Sequence, residues 1–102
     1  MSSMQGKVVI VTGGAAGLGA AAVRRFVAEG ATVECWDLNE AAGKELAAGF
    51  ATATFRSVDV ADGAAVDAAV QAVQDAHGRI DVLINNAGIT RDATLLKMED
   101  DQ

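Results

Sequence analysis

The stretch Lys7 to Gly19, KVVIVTGGAAGLG, most constrains what this chain can become. A continuous apolar run, Val8 to Val11, enters a glycine turn, and a helical pattern begins directly after it. That order gathers backbone N–H groups at a helix N-terminus, where they can hold a pyrophosphate. The glycines Gly13, Gly17 and Gly19 have the spacing GxxxGxG. Gly13 lets the chain turn sharply off the strand. Gly17 lets the backbone approach phosphates where a Cβ would collide. Gly19 lets the helix pack closely on the first strand. A glycine-rich turn without a ligand is the competing reading; the preceding strand and the amphipathic helix that follows favour phosphate.

The rest of the chain repeats this unit. A short apolar run, a polar or glycine turn and a helical pattern occur three times, and a fourth run then begins. This is the pattern of a parallel α/β sheet. The 102 residues are enough for one domain, and no proline or low-complexity linker divides them. Aromatic residues are only 4% of the chain, so Val, Leu, Ile and Ala must build the core. Such a core suits a sheet buried on both faces.

The first helix is expected from Gly17 to Glu29, with Leu18, Ala22, Phe26, Val23 and Val27 facing inward and Gly30 ending it. Thr32 to Trp36 reads as the second strand, closed by Asp37. Asn39 caps a helix through Ala48, and Gly49 stops it. Ala53 to Val58 is the third strand, closed by Asp59. Asp62 caps a helix whose apolar face is Val66, Val70 and Val73, ended by His77-Gly78. Ile80 to Ile84 is the fourth strand, followed by the turn Asn85 to Gly88. A loop from Ile89 to Thr94 and one helical turn at Leu95 to Met98 are expected after it. The expected architecture is a Rossmann-type parallel sheet with flanking helices, four strands in the order 3-2-1-4. Strand 4 would then be a bare edge, although Val82, Leu83 and Ile84 read as interior residues. The acidic ending Glu99 to Asp101 resembles the opening of a further helix. Both features suggest a truncated fold.

Several function classes are disfavoured. The formal net charge is −6, and the eight Lys and Arg residues are scattered, which argues against nucleic-acid binding. The single Cys35 excludes an internal disulfide and reads as a small buried hydrophobe. No signal-peptide pattern opens the chain, and no apolar run approaches the roughly 20 residues that span a bilayer. A cytoplasmic location is expected. No cluster has metal-ligand spacing. His77, the lone histidine, suits a helix C-terminus better than catalysis.

The strand ends carry the remaining site residues. Asp37 stands 18 residues after Gly19. An acid there can accept hydrogen bonds from the adenosine ribose hydroxyls and repel a 2′-phosphate. The glycine turn has no Arg or Lys, so NAD is favoured over NADP. Asp59 can accept from the adenine amino group while Val60 packs on the ring; a plain strand-end turn is the alternative. Asn85 and Asn86 are turn-formers, and they also lie where ligands meet an open α/β sheet, beside the nicotinamide-side ribose.

Thr12-Gly13-Gly14-Ala15-Ala16-Gly17-Leu18-Gly19, then Asp37, then Asp59-Val60, then Asn85-Asn86-Ala87-Gly88 resemble the short-chain dehydrogenase/reductase family, with its TGxxxGxG and NNAG motifs. Ile89-Thr90-Arg91-Asp92 is similar to the 3-oxoacyl-[acyl-carrier-protein] reductases within it. The cofactor-binding set is Gly13, Ala16, Gly17, Leu18, Gly19, Asp37, Leu38, Asp59, Val60, Asn86, Ala87 and Gly88. The resemblance implies NAD(P)-dependent carbonyl reduction or alcohol oxidation in a homo-oligomeric parent. It also implies a catalytic Ser, Asn and Tyr-x-x-x-Lys. The chain has no Tyr and no match to those motifs, so no catalytic residue is assigned. Reductase-like members often use NADP, and Asp37 departs from them. The alternatives are a stand-alone nucleotide-binding module and a protein that pairs through its fourth strand.

Overall fold

A computed structural model describes residues 4–86 and the strand at 94–97. The chain runs β1 (Val8–Thr12), α1 (Gly17–Ala28), β2 (Thr32–Asp37), α2 (Glu40–Ala48), β3 (Ala53–Ser57), α3 (Gly63–His77), β4 (Val82–Asn85) and β5 (Thr94–Lys97). The sheet order is β3-β2-β1-β4-β5. The first four strands are parallel and stand in the order read from the sequence.

β1 lies at the centre, and all five of its residues are buried. Its alternating side chains feed two cores. Val9 and Val11 join Val23, Val33, Cys35 and Ala47 on the face covered by α1 and α2. Val8 and Ile10 join Trp36, Ala69, Val73 and Ile80 on the face covered by α3. Burying one such aliphatic side chain contributes about 1.5–3 kcal/mol before the entropy cost of ordering it. α2 lies very close to β3: a Cβ at Gly43 would run into the Phe55 ring.

The helix boundaries have local causes. Asn39 Oδ1 accepts from the Ala42 N–H at 3.1 Å and caps α2. Asp62 Oδ1 accepts from Ala64 and Ala65 at 3.1 and 3.2 Å and caps α3. Gly30 and Gly78, with φ of 95° and 79°, take the left-handed conformation that ends α1 and α3.

Three expectations are corrected. Leu18 is 78% exposed and does not belong to the inward stripe. The buried side of α1 runs through Gly19, Ala20 and Val23, and Leu18 falls off it. Residues 94–97 form a strand where the sequence suggested a helical turn, and Met98 lies outside the described residues. β5 pairs antiparallel with β4, with Val82 opposite Lys97 and Asn85 opposite Thr94. The fourth strand is therefore not a bare edge. Its outer N–H and C=O groups have a partner, and the short connection 86–93 permits an antiparallel return but not a parallel crossover. Among the described residues no helix is long and apolar enough to cross a membrane.

Candidate functional site

The C-terminal ends of β1, β2 and β4 meet at one margin of the sheet, and the α1 N-terminus opens there. Gly13 and Gly17 have φ of 64° and 60°, the left-handed region in which a side chain is strained. A Cβ at Gly17 would meet nothing within 4 Å, so the chain leaves open space beside that residue. Gly19 is required by contact instead. Its Cβ would collide with the Gly13 carbonyl and the Gly14 Cα. The close approach is thus to the turn leaving β1 and not to the strand itself. Gly14, not singled out from the sequence, is similarly confined: a Cβ there would lie 2.7 Å from Cys35 Sγ.

β2 holds the first half of this turn. The Trp36 carbonyl accepts from Gly13 at 2.8 Å and from Gly14 at 3.3 Å. Asp37 Oδ2 accepts from the Ala15 N–H at 3.0 Å, while its Oδ1 accepts from Asn39 at 3.0 Å. Ala16 is the N-cap of α1, makes no side-chain capping bond, and the first turn holds no acid. The N–H groups that open α1 therefore meet no capping side chain and no acid of the helix's own first turn. This arrangement fits a phosphate group.

Thr12 ties β1 to β4. Its Oγ1 accepts from the Asn86 N–H at 2.7 Å and faces the Ile84 carbonyl at 3.3 Å and Asn85 Oδ1 at 3.1 Å. Sequence reasoning gave Thr12 no task beyond its place in the motif. Its hydroxyl reaches a strand more than 70 residues away in the chain, a contact with no local signal. Asn86 is thereby fixed at the site margin; Ala87 and Gly88 lie outside the described residues.

Leu18 and Leu38, the latter 63% exposed, are the exposed large hydrophobics of the described residues, and they sit on this margin. Asp59 is exposed, and its Oδ1 accepts from Ala61 at 2.9 Å. Val60 is partly buried against the α3-side core.

Other polar groups lie on the α3 face and at the opposite margin. Glu34, in the middle of β2, is buried. It accepts from Arg56 Nε and Nη2 at 2.7 and 2.9 Å and from the Trp36 indole at 3.1 Å, and His77 Nε2 lies 3.4 Å away. Burial works to raise its pKa, but the bonds from Arg56 and Trp36 and the charge of Arg56 outweigh it and hold the carboxyl below its ordinary value. Asp81 Oδ2 accepts from the Val8 N–H at 2.8 Å, and Arg79 grips both of its oxygens at 2.8 and 2.7 Å. Burial again acts upward on its pKa, and the Arg79 and Val8 bonds prevail downward. Cys35 is wholly buried, as read from the sequence; burial and then the Asp37 charge push its thiol up to about 11. No group of three or more metal-ligating side chains occurs among the described residues.

Residues 7–102 match the family model for short chain dehydrogenase. The chain is 43% identical over 103 residues to a 3-oxoacyl-[acyl-carrier-protein] reductase FabG of Chlamydia pneumoniae, covering 97% of this chain and 42% of the relative. Its fold is similar to a crystal structure of 3-ketoacyl-(acyl-carrier-protein) reductase from Brucella melitensis complexed with NADH, with TM-score 0.81 and 38% identity. That match covers 85% of this chain and 36% of the solved one. A short chain dehydrogenase from Bacillus anthracis is similar at TM-score 0.79 and 31% identity, over 83% of this chain and 36% of the other. The chain spans less than half the length of each of these relatives.

Proposed function

The chain belongs to the short-chain dehydrogenase family, and from that premise we propose that residues 1–102 are the dinucleotide-binding part of an oxidoreductase, with NAD(H) as the dinucleotide. The parent protein moves a hydride between NAD(H) and a carbonyl or alcohol substrate. When bound, the nicotinamide supplies or takes up that hydride. The residues of this chain bind and orient.

The Asp37 carboxylate carries the reading. It closes β2 beside the glycine turn, and among the described residues it takes part in no ion pair. It keeps acceptor capacity for ribose hydroxyls beyond the two N–H bonds that it receives. A 2′-phosphate, carrying about −1.5 to −2 charge if it ionises as phosphomonoesters do, would be repelled. The Gly13 to Gly19 turn offers no basic side chain to compensate. Gly17, Leu18 and Gly19 present the helix start to the pyrophosphate. Leu38, Asp59 and Val60 are assigned to the adenine, and Asn86 to the nicotinamide-side ribose; the NNAG resemblance extends that last assignment to Ala87 and Gly88. The sequence has no tyrosine, so the tyrosine and lysine chemistry implied by the family resemblance is assigned to the parent. The 102 residues alone are expected to be inactive.

Calorimetric titration with NADH and then NADPH tests this. Saturable binding with NADH preferred is the expected result. Equal or tighter NADPH binding would overturn the choice of cofactor. No binding of either would overturn the assignment of a working dinucleotide site to these residues.

A further inference from the structure

The last two residues of β2 hold three successive N–H groups of the glycine turn. Two of them, from Gly13 and Gly14, go to the Trp36 carbonyl and do not depend on any side chain. The third, from Ala15, goes to the Asp37 carboxylate. Ala15 directly precedes Ala16, the N-cap of α1. The Asp37 side chain thus makes the last of these three ties before the helix opens, and the same carboxylate accepts from Asn39 at the approach to α2.

We propose that Asp37 is a positioning residue for the phosphate cradle. By holding the Ala15 N–H, its carboxylate sets the path of the turn that aims the N–H groups of α1. This role is separate from any ribose contact, and it rests on the reading of this margin as a dinucleotide site. It has a consequence that charge alone does not. A carboxylate near a phosphate repels it, so removing the charge by itself should tighten the binding of an anion. Removing the acceptor frees the Ala15 end of the turn, where it enters α1, and should loosen that binding. Asparagine loses the charge but keeps an oxygen for Ala15. Alanine loses both. If Asp37 acts only through its charge, the two variants bind a simple anion equally. If it positions the turn, they part.

Inorganic pyrophosphate, which has no ribose, is the probe. Wild type, Asp37→Asn and Asp37→Ala are titrated with it by calorimetry. Amide exchange is followed by NMR at Ala15 and Gly17 to Gly19, with the β1 amides of Val9 and Val11 as the folded reference. Asp37→Ala should bind pyrophosphate about fivefold more weakly than Asp37→Asn, the loss that corresponds to one hydrogen bond. Exchange at Ala15 should be about tenfold faster in Asp37→Ala than in wild type, at unchanged β1 protection. Equal affinity of the two variants, unchanged exchange at Ala15, or no pyrophosphate binding by any form would overturn the proposal. Should Asp37→Ala not fold, Asp37→Ser repeats the test, since its hydroxyl is one bond shorter than the carboxylate reach. The NAD(H) reading fails by a different outcome: wild type that prefers NADPH or binds neither dinucleotide, whatever the exchange at Ala15.

Discussion

Glu34 and Asp37 lie in the same strand, three residues apart, and are held in opposite ways. Glu34 faces the α3 side and is gripped by a guanidinium, an indole and an imidazole. Asp37 stands at the strand's end and is held by two backbone N–H groups. Asp81 follows the first pattern, with Arg79 on both oxygens. Asp59 follows the second, with one backbone N–H. A buried carboxylate needs a cation or several donors, because desolvation otherwise costs several kcal/mol. A carboxylate oriented by N–H groups at a margin keeps its net charge and its remaining lone pairs. Glu34 and Asp81 are therefore spent on the fold. Asp37 and Asp59 remain able to address a ligand.

The hardest way to break this contrast is to remove the cation from the buried acid. Arg56→Ala should destabilise the chain by about 3 kcal/mol, the low end for breaking a buried pair, because Arg56 is partly exposed and His77 remains. Urea unfolding measures this. Pairing it with Glu34→Gln should recover much of the loss, since no uncompensated charge is then left. An unaltered unfolding midpoint in Arg56→Ala would place Glu34 among the weakly held acids. The pH dependence follows with a definite sign. Glu34 and Asp81 have pKa values below their ordinary ones. Their contribution is therefore fully present above the unfolded-state values of about 4. It is lost as pH falls through the lower folded-state values. The urea midpoint should hold steady from neutral pH to about pH 5 and then drop on further acidification. Glu34→Gln should flatten part of that drop.

At the other acid the expected effect is on binding. Asp37→Ala should weaken NADH by about 2 kcal/mol, the range of a hydrogen bond to a charged group, and narrow its preference over NADPH. Stability should change little, because the residue stands at the margin and the Trp36 carbonyl still holds the turn. An unchanged NADH-to-NADPH ratio would remove Asp37 from cofactor discrimination.

The sequence separated these acids only in part. Asp37, Asp59 and Asp62 are legible because they end strands or start helices, where an acid meets N–H groups two or three residues on; the bond from Ala15 to Asp37 spans 22 residues and has no such local signal. The parallel order of β1 to β4 is legible for a similar reason, since each apolar run is followed by its own helix. Glu34 was passed over because its partners Arg56 and His77 come from β3 and the end of α3, and nothing local marks them. The Thr12 link to Asn86 is hidden in the same way. Leu18 is misplaced by extending the stripe of Ala22 and Phe26 back by four residues, whereas the first turn buries Gly19 and Ala20 instead. β5 was missed because its cause is the open edge of β4 and not a local pattern.

The smallest expected effect sharpens the contrast most. α1 and α3 both start at the C-terminal margin of the sheet, yet only α3 is capped by an acid of its own, Asp62. Asp62→Ala should cost about 1 kcal/mol of stability, as loss of a cap does, and leave dinucleotide binding unaltered. Ala16→Asp is the converse change. It gives α1 the kind of cap that α3 has and favours the helix by up to about 1 kcal/mol through capping and the helix dipole. The same carboxylate would stand where the pyrophosphate is proposed to bind, so NADH affinity should fall although the fold gains. A variant that gained stability and kept its NADH affinity would show that the open helix start is not where the phosphates sit. Opposite signs for stability and binding would mean that α1 is left without a cap because the ligand takes that place.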